Sequence, residues 1–349
     1  MEKKKGTDTR AFSELRAALT DGKVGSLYVF TGEEAYLRAR YAEKLREAVV
    51  TPGTEAFNFH RVEGKNLSVR ELAEMTEALP MLAERTMVEV DDFDPFACTA
   101  EEREAFADMV EHFPPYCCLL LYFDLAPYKE NGTMKRLSAA MKRFSIVEFP
   151  LQERGKLIGW VRRHFEKYGK SIDTQTCERL IFTCGEQMAT LVNEIEKIAA
   201  YAHGTEITAA DIRAVATPMT ETVVFEMTNA VTAGDFDGAA RELGALLRQK
   251  EDPGYLLAAL GNELRRLYSA RLALDSGRDS LFLKDLWGMR SDYPAKLLLS
   301  SARNVSTAWC RRAVVEAERL GCRMRTGTGT DGEGELKRFL MELAQESGK

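Results

Sequence analysis

Apolar residues along the first 150 positions follow two alternating periods. Short runs such as Leu27–Phe30, Arg85–Asp92, Tyr116–Phe123 and Phe144–Phe149 read as buried strands, and Ala56–Val62 alternates apolar and polar in strand fashion. Between them, apolar residues recur three and four apart. Tyr36, Leu37, Tyr41, Leu45 and Val49 place a helix over 33–50, and the same spacing places helices over 10–20, 68–79 (capped by Ser68), 100–112 and 132–143. Strands alternating with helices of this length predict βαβ units and a parallel sheet with helices on both faces. After Pro150 the strand signals stop. Helices are predicted over 152–168, 173–183, 188–201 and after Thr208, then over 222–233, 236–249, 253–275, 280–287, 293–301, 306–325 and 333–346. The expected organisation is an α/β domain over 1–150, a small helical domain over 151–219 and an all-α domain over 220–349, with a low-complexity, mobile loop at 326–332.

Composition alters this picture little. Apolar residues make up 45% and charged residues 29% of the 349 positions, as in an ordinary globular protein. No apolar run is long enough to span a bilayer, and the basic start at Met1–Gly6 has no apolar segment behind it, so neither a membrane span nor a secretion signal is expected. The seven cysteines form no C-x-x-C pair, which predicts reduced structural thiols rather than a zinc or redox site. The net charge of −6 excludes coating of nucleic acid through bulk charge. Residues 1–150 carry 20 basic and 26 acidic side chains, whereas 151–219 carry 9 of each and 220–349 carry 19 of each. Any nucleic-acid contact must therefore come from local patches.

Strand 27–30, the turn at Gly32 and the following helix have the layout of a phosphate-binding loop. The chemistry is missing. Thr31-Gly32-Glu33-Glu34 lacks the second glycine, the lysine and the hydroxyl residue, and puts two carboxylates in the predicted first helical turn. Met87–Asp92 resembles a Walker B strand, although aspartates there also serve as turn and cap residues. His60, His112, His164 and His203 fall in separate elements without metal-ligand spacing, and no nucleophile motif accompanies them. No catalytic residue and no metal site is expected. Two basic groups, Arg162, Arg163, Lys167 and Lys170 on one side and Arg312, Arg319 and Arg323 on the other, are either phosphate contacts or solvated helix faces.

Helix 68–79 is followed by Pro80, Met81, Leu82, Ala83, Glu84 and Arg85, a bend with two large flexible apolar side chains. Such residues either tuck beneath the sheet edge or stand out on a surface connection as an anchor for a partner's pocket.

These landmarks are similar to those of the delta-subunit family of the bacterial DNA polymerase III clamp loader. Tyr28-Val-Phe-Thr-Gly-Glu-Glu-Ala-Tyr-Leu37 resembles the family's opening G-x-E-x-Y-L signature, and Leu79–Arg85 before an apolar strand resembles its second landmark. Ala189–Ile198 with Ile207–Ile212, then Phe225–Asp235 and Arg241–Leu247, resemble later parts, so the likeness extends over about 25–345. The resemblance implies an AAA+-like domain without a working ATP site, a small helical lid and a helical collar that builds a five-member ring. It further implies that Met81 and Leu82, approached through Leu79 and Pro80, enter a pocket of the sliding clamp (the beta subunit) and open its ring, where the family often has Leu-Phe. The implied partners are that clamp, gamma/tau and delta-prime subunits in a hetero-pentameric ring, and primed DNA. ATP and Mg²⁺ would be bound only by partner subunits, in a cytoplasmic replisome. The alternatives are an ATP-hydrolysing AAA+ protein with an unusual loop, or a delta-prime or gamma-type subunit, whose usual zinc cysteines and S-R-C stretch are absent here.

Overall fold

The computed structural model describes residues 10–327 and 331–347, so positions 328–330 of the predicted low-complexity loop lie outside the described residues. The chain divides into two compact units, residues 1–153 with 187–189, and residues 154–186 with 190–349.

The first unit runs α1 (Arg10–Asp21), β1 (Leu27–Thr31), α2 (Ala35–Val49), α3 (Glu55–Asn58), β2 (Phe59–Glu63), α4 (Val69–Glu77), β3 (Thr86–Asp91), α5 (Ala100–Glu111), β4 (Cys117–Tyr122), α6 (Lys135–Met141) and β5 (Ser145–Glu148). Its five strands pair in parallel in the order β2-β3-β4-β1-β5. Successive strand residues point to opposite faces. Tyr28, Phe30, Cys118, Leu120 and Tyr122 therefore pack with α1 and α2, while Val29, Val88, Val90, Leu119 and Leu121 pack with α4, α5 and α6. Helices cover both faces, which is why the central strands read as unbroken apolar runs.

The predicted strand 56–62 begins only at Phe59. The Phe57 and Asn58 amides both bond back to the Thr54 carbonyl, at 3.0 and 3.1 Å, and close one helical turn first. That turn points Asn58 inward and leaves Phe57 half exposed, the reverse of strand alternation with Phe59.

The second unit comprises α7 (Arg154–Glu166), β6 (Ser171–Ile172), α8 (Thr174–Cys184), α9 (Met188–Tyr201), β7 (Glu206–Ile207), α10 (Ala209–Val215), α11 (Thr220–Ala233), α12 (Phe236–Arg248), α13 (Pro253–Asp275), α14 (Ser280–Leu286), α15 (Tyr293–Ala302), α16 (Thr307–Thr326) and α17 (Gly332–Ser347). Strands β6 and β7 form a small parallel pair where only helices were expected, because two residues are too few to carry a period. Asp173 and Thr208 cap α8 and α10. Within this unit Arg154 bonds Glu178 at 2.5 Å and Glu186 at 3.1 Å, and Glu186 also takes Arg290 at 2.5 Å. The Phe182 ring meets Phe225 edge-on at 5.0 Å. Leu256, Leu260, Leu264 and Leu267 bury α13 along its length against α11, α15 and α16.

Glu263 sits in that helix, buried, with the Arg266 guanidinium 3.8 Å away. Burial outweighs Arg266 and pushes its pKa from 4.5 up to about 7. Between those values the folded chain holds a proton that the unfolded chain has released. The stabilisation is therefore full below the lower value and lost as pH rises through the upper one. Glu263→Gln is expected to stabilise the protein near pH 8 by about 1–2 kcal/mol and to flatten the decline from about pH 5 upward. Urea unfolding at several pH values measures this, and a decline as steep as the native one would refute it.

Candidate functional site

The loop after β1 turns on Gly32, whose φ is +115°. A Cβ there would lie 2.6 Å from the Phe149 nitrogen, so only glycine lets the chain pass against the end of β5. The Phe149 amide donates to the Thr31 carbonyl at 2.7 Å, and the Glu34 amide donates to the Phe149 carbonyl at 2.9 Å. Arg38 is buried, donates to the Gly32 carbonyl and to Asp124, and lies 5.0 Å over the Tyr122 ring. The predicted helix start moves as a result. Helix α2 begins at Ala35, Glu33 is exposed outside it, and Glu34 takes the N-cap position with a buried side chain that makes no capping hydrogen bond. The bond to Phe149 draws Glu34 to φ −88° and ψ 83°, out of the helical region.

The acids at the end of β3 are also committed. Asp91 accepts from Arg61 at 2.9 and 3.2 Å. Asp92, at φ +53°, accepts the backbone amides of Asp124, Leu125 and Ala126 at 2.8, 3.1 and 3.1 Å. Burial raises the pKa of neighbouring Glu89, opposed by Arg61. No group of three or more histidine, cysteine or acidic side chains is placed to hold a metal among the described residues. With no lysine, no hydroxyl at the helix start, a loop amide taken by Phe149 and the acids taken by Arg61 and backbone, these residues do not fit a magnesium nucleotide. Three of the thiols are quiet as well, because burial pushes Cys118, Cys184 and Cys310 up to about 12.

The 79–85 corner stands at the other end of the sheet, before β3. Helix α4 leads into it from a Ser68–Glu71 capping box. Its backbone is then held at three points. Tyr116 Oη donates to the Glu77 carbonyl at 2.8 Å. The Asn58 amide donates to the Met81 carbonyl and accepts the Met81 N–H, both at 2.8 Å. Arg85 donates to the Val24 and Gly25 carbonyls at 2.9 and 2.7 Å. The side chains between these points face outward, with Leu79 74%, Met81 54% and Leu82 89% exposed, and Pro80 is half-buried. Leu82 has φ +55°, in the left-handed region that a branched side chain rarely adopts.

Asn58 is fully buried, so truncating it strands the partners it holds. Asn58→Ala is expected to destabilise the first unit by about 2 kcal/mol and to open 79–82 to proteolysis. Urea unfolding with limited proteolysis tests both, and a native cleavage rate would contradict the brace.

Residues 28–148 match the family described as DNA polymerase III, delta subunit, and residues 221–343 match the DNA polymerase III delta subunit, C-terminal domain. The chain belongs to the DNA polymerase III delta-subunit family. A relative, DNA polymerase III subunit delta of Bacillus subtilis (strain 168), is 23% identical over 344 residues, covering 95% of this chain and 96% of that one. Among solved structures, the Bacillus subtilis DNA clamp loader delta protein (YqeN) matches with a TM-score of 0.56 and 21% identity, covering 96% of this chain and 99% of that one. The fold is thus a parallel-sheet α/β domain followed by helical domains.

In this delta-family chain the predicted basic groups are placed as follows. Arg162 donates to Thr174 Oγ1 at 2.6 Å, Lys167 lies 3.4 Å from His164 Nε2, and Arg163 is exposed on the last turn of α7. Lys170 leaves the group and donates to the Ala202 and Gly204 carbonyls at 2.6 and 2.7 Å. On α16 Arg312 is exposed, Arg319 pairs with Glu316 at 2.5 Å and Arg323 with Glu335 at 3.6 Å.

Sequence reasoning missed Asn58, Tyr116, Arg85 and Arg38, which hold the corner and the loop from 6 to 61 positions away. One signal existed, a polar asparagine between Phe57 and Phe59.

Proposed function

We propose that this chain is the clamp-opening subunit of a bacterial DNA polymerase III clamp loader. On this reading Leu79, Pro80, Met81 and Leu82 dock into an apolar pocket of the sliding clamp. The single observation that carries it is the corner itself, three exposed apolar side chains on a backbone held by Asn58, Tyr116 and Arg85. Free folding energy favours burying such side chains, so their exposure on a pinned backbone suits a partner. A pinned corner loses little conformational freedom when it docks.

The mechanism is differential binding. A corner that fits the open clamp better than the closed ring shifts the ring toward opening by the difference in the two affinities, with no covalent chemistry in this chain. Residues 1–150 act as the clamp-facing domain, 151–219 as the lid, and 220–349 as the collar joining gamma/tau and delta-prime subunits in a five-member ring. ATP and Mg²⁺ belong to those partners. Arg163 and Lys167 are the better candidates for primed-DNA phosphate, since Arg319 and Arg323 already have carboxylate partners.

Two titrations test the reading. The isolated native chain is expected to bind immobilised sliding clamp saturably, and a chain that fails to bind sinks it. The same chain is expected to give no saturable signal with Mg-ATP up to about 1 mM, a range that covers weak sites. Saturation in that range would favour an ATP-hydrolysing AAA+ protein instead.

A further inference from the structure

Among the described residues sixteen large apolar side chains are exposed, and four of them, Phe57, Leu79, Met81 and Leu82, lie just ahead of β2 and β3. These strands are parallel neighbours in which Phe59 stands opposite Met87, so α3 and the 79–85 corner share one end of the sheet. The connection is direct. Asn58 points inward and grips the Met81 backbone with two hydrogen bonds, and Phe57, the residue before it, points outward at 54% exposure. Phe57 therefore stands one residue from the side chain that holds the Met81 backbone.

We infer that Phe57 is an aromatic anchor of the docking surface formed by Leu79, Met81 and Leu82, and that this surface fits an apolar pocket with a basic rim on the sliding clamp. The inference rests on the clamp-binding reading above. Two observations support it. Phe57 is 54% exposed, so its side chain is not sealed in the fold as those of the two sheet cores are. The apolar side chains are interspersed with the exposed acids Glu55, Glu77 and Glu84, so a matching pocket presents lysine or arginine at its edge. A rigid aromatic ring beside flexible Met81 and Leu82 supplies the kind of contact that dominates protein interfaces.

Four variants of the full chain, Phe57→Ser, Leu82→Ser, Glu84→Lys and, as a control in the second unit, Phe282→Ser on α14, test this by titration against immobilised clamp. Phe57→Ser is expected to weaken binding roughly tenfold with an unchanged melting temperature, the loss typical of one interface anchor. Glu84→Lys is expected to weaken it by about threefold, as a rim charge does, and Phe282→Ser to leave it unchanged. If Leu82→Ser weakens binding and Phe57→Ser does not, Phe57 lies outside the surface and the clamp reading stands. Native binding by both serine variants defeats the clamp reading as well. A loss with Phe282→Ser equal to that with Phe57→Ser overturns the local anchor, and unchanged or tighter binding by Glu84→Lys overturns the basic rim.

Discussion

The double variant Met81→Ser/Leu82→Ser is expected to bind the sliding clamp at least about a hundredfold more weakly than the native chain, with no loss of folding stability. Two interface anchors at about 1.4–2 kcal/mol each account for that factor. Stability is spared because Met81 is 54% and Leu82 89% exposed, so serine removes almost no core contact. Leu82 permits a sharper version. Its φ of +55° costs a non-glycine residue about 1 kcal/mol that glycine does not incur. Leu82→Gly is thus expected to weaken clamp binding while holding or raising the melting temperature. Opposite signs in the two measurements separate a side chain kept for a partner from one kept for the fold. Undiminished clamp binding by the double variant would remove the site assignment.

The largest expected effect on stability comes from Gly32→Ala. The new Cβ would stand 2.6 Å from the Phe149 nitrogen at a φ of +115°. Backbone strain and overpacking together cost about 4 kcal/mol, since neither β1 nor the end of β5 can move without breaking the Thr31–Phe149 and Glu34–Phe149 hydrogen bonds. That corresponds to a fall of roughly 10 °C in the melting temperature. Gly53 is the control, because its φ is +86° but nothing lies within 4 Å of its Cβ position. Gly53→Ala should cost only about 1 kcal/mol, the strain alone. Equal shifts for the two alanine variants in calorimetry would show that the Phe149 contact does not shape the loop.

The two candidate sites were legible in the chain to different degrees. The loop's missing lysine and hydroxyl are composition and needed no coordinates. What replaces the phosphate did need them. Arg38, a position that reads as an ordinary charged helix residue, is buried against the Gly32 carbonyl, Asp124 and the Tyr122 ring. For the corner, sequence alone left two outcomes open, tucked or exposed, because Pro80 and the adjacent apolar pair suit either. Pinning by Asn58 and Arg85 decides for exposure, and those partners stand 23 and 61 positions from the groups they hold. The misplaced strand start at 56 has the same origin. Phe57-Asn58-Phe59 alternates as a strand would, yet local bonds to Thr54 close a helical turn.

By itself the sequence determined the alternation of strands and helices before Pro150, the helices after it, the caps at Ser68, Asp173 and Thr208, and the absence of phosphate-binding residues after β1. Each of these depends on residues within about one helical turn or one strand, where period and side-chain chemistry act directly. The tertiary structure alone decided the strand order β2-β3-β4-β1-β5, the two-residue strands β6 and β7, the internal closure of the Gly32 loop on Phe149, and the brace that presents Met81 and Leu82. These depend on hydrogen bonds between residues distant in the chain. No local period records such partners, because their cost and gain exist only once the sheet has brought them together.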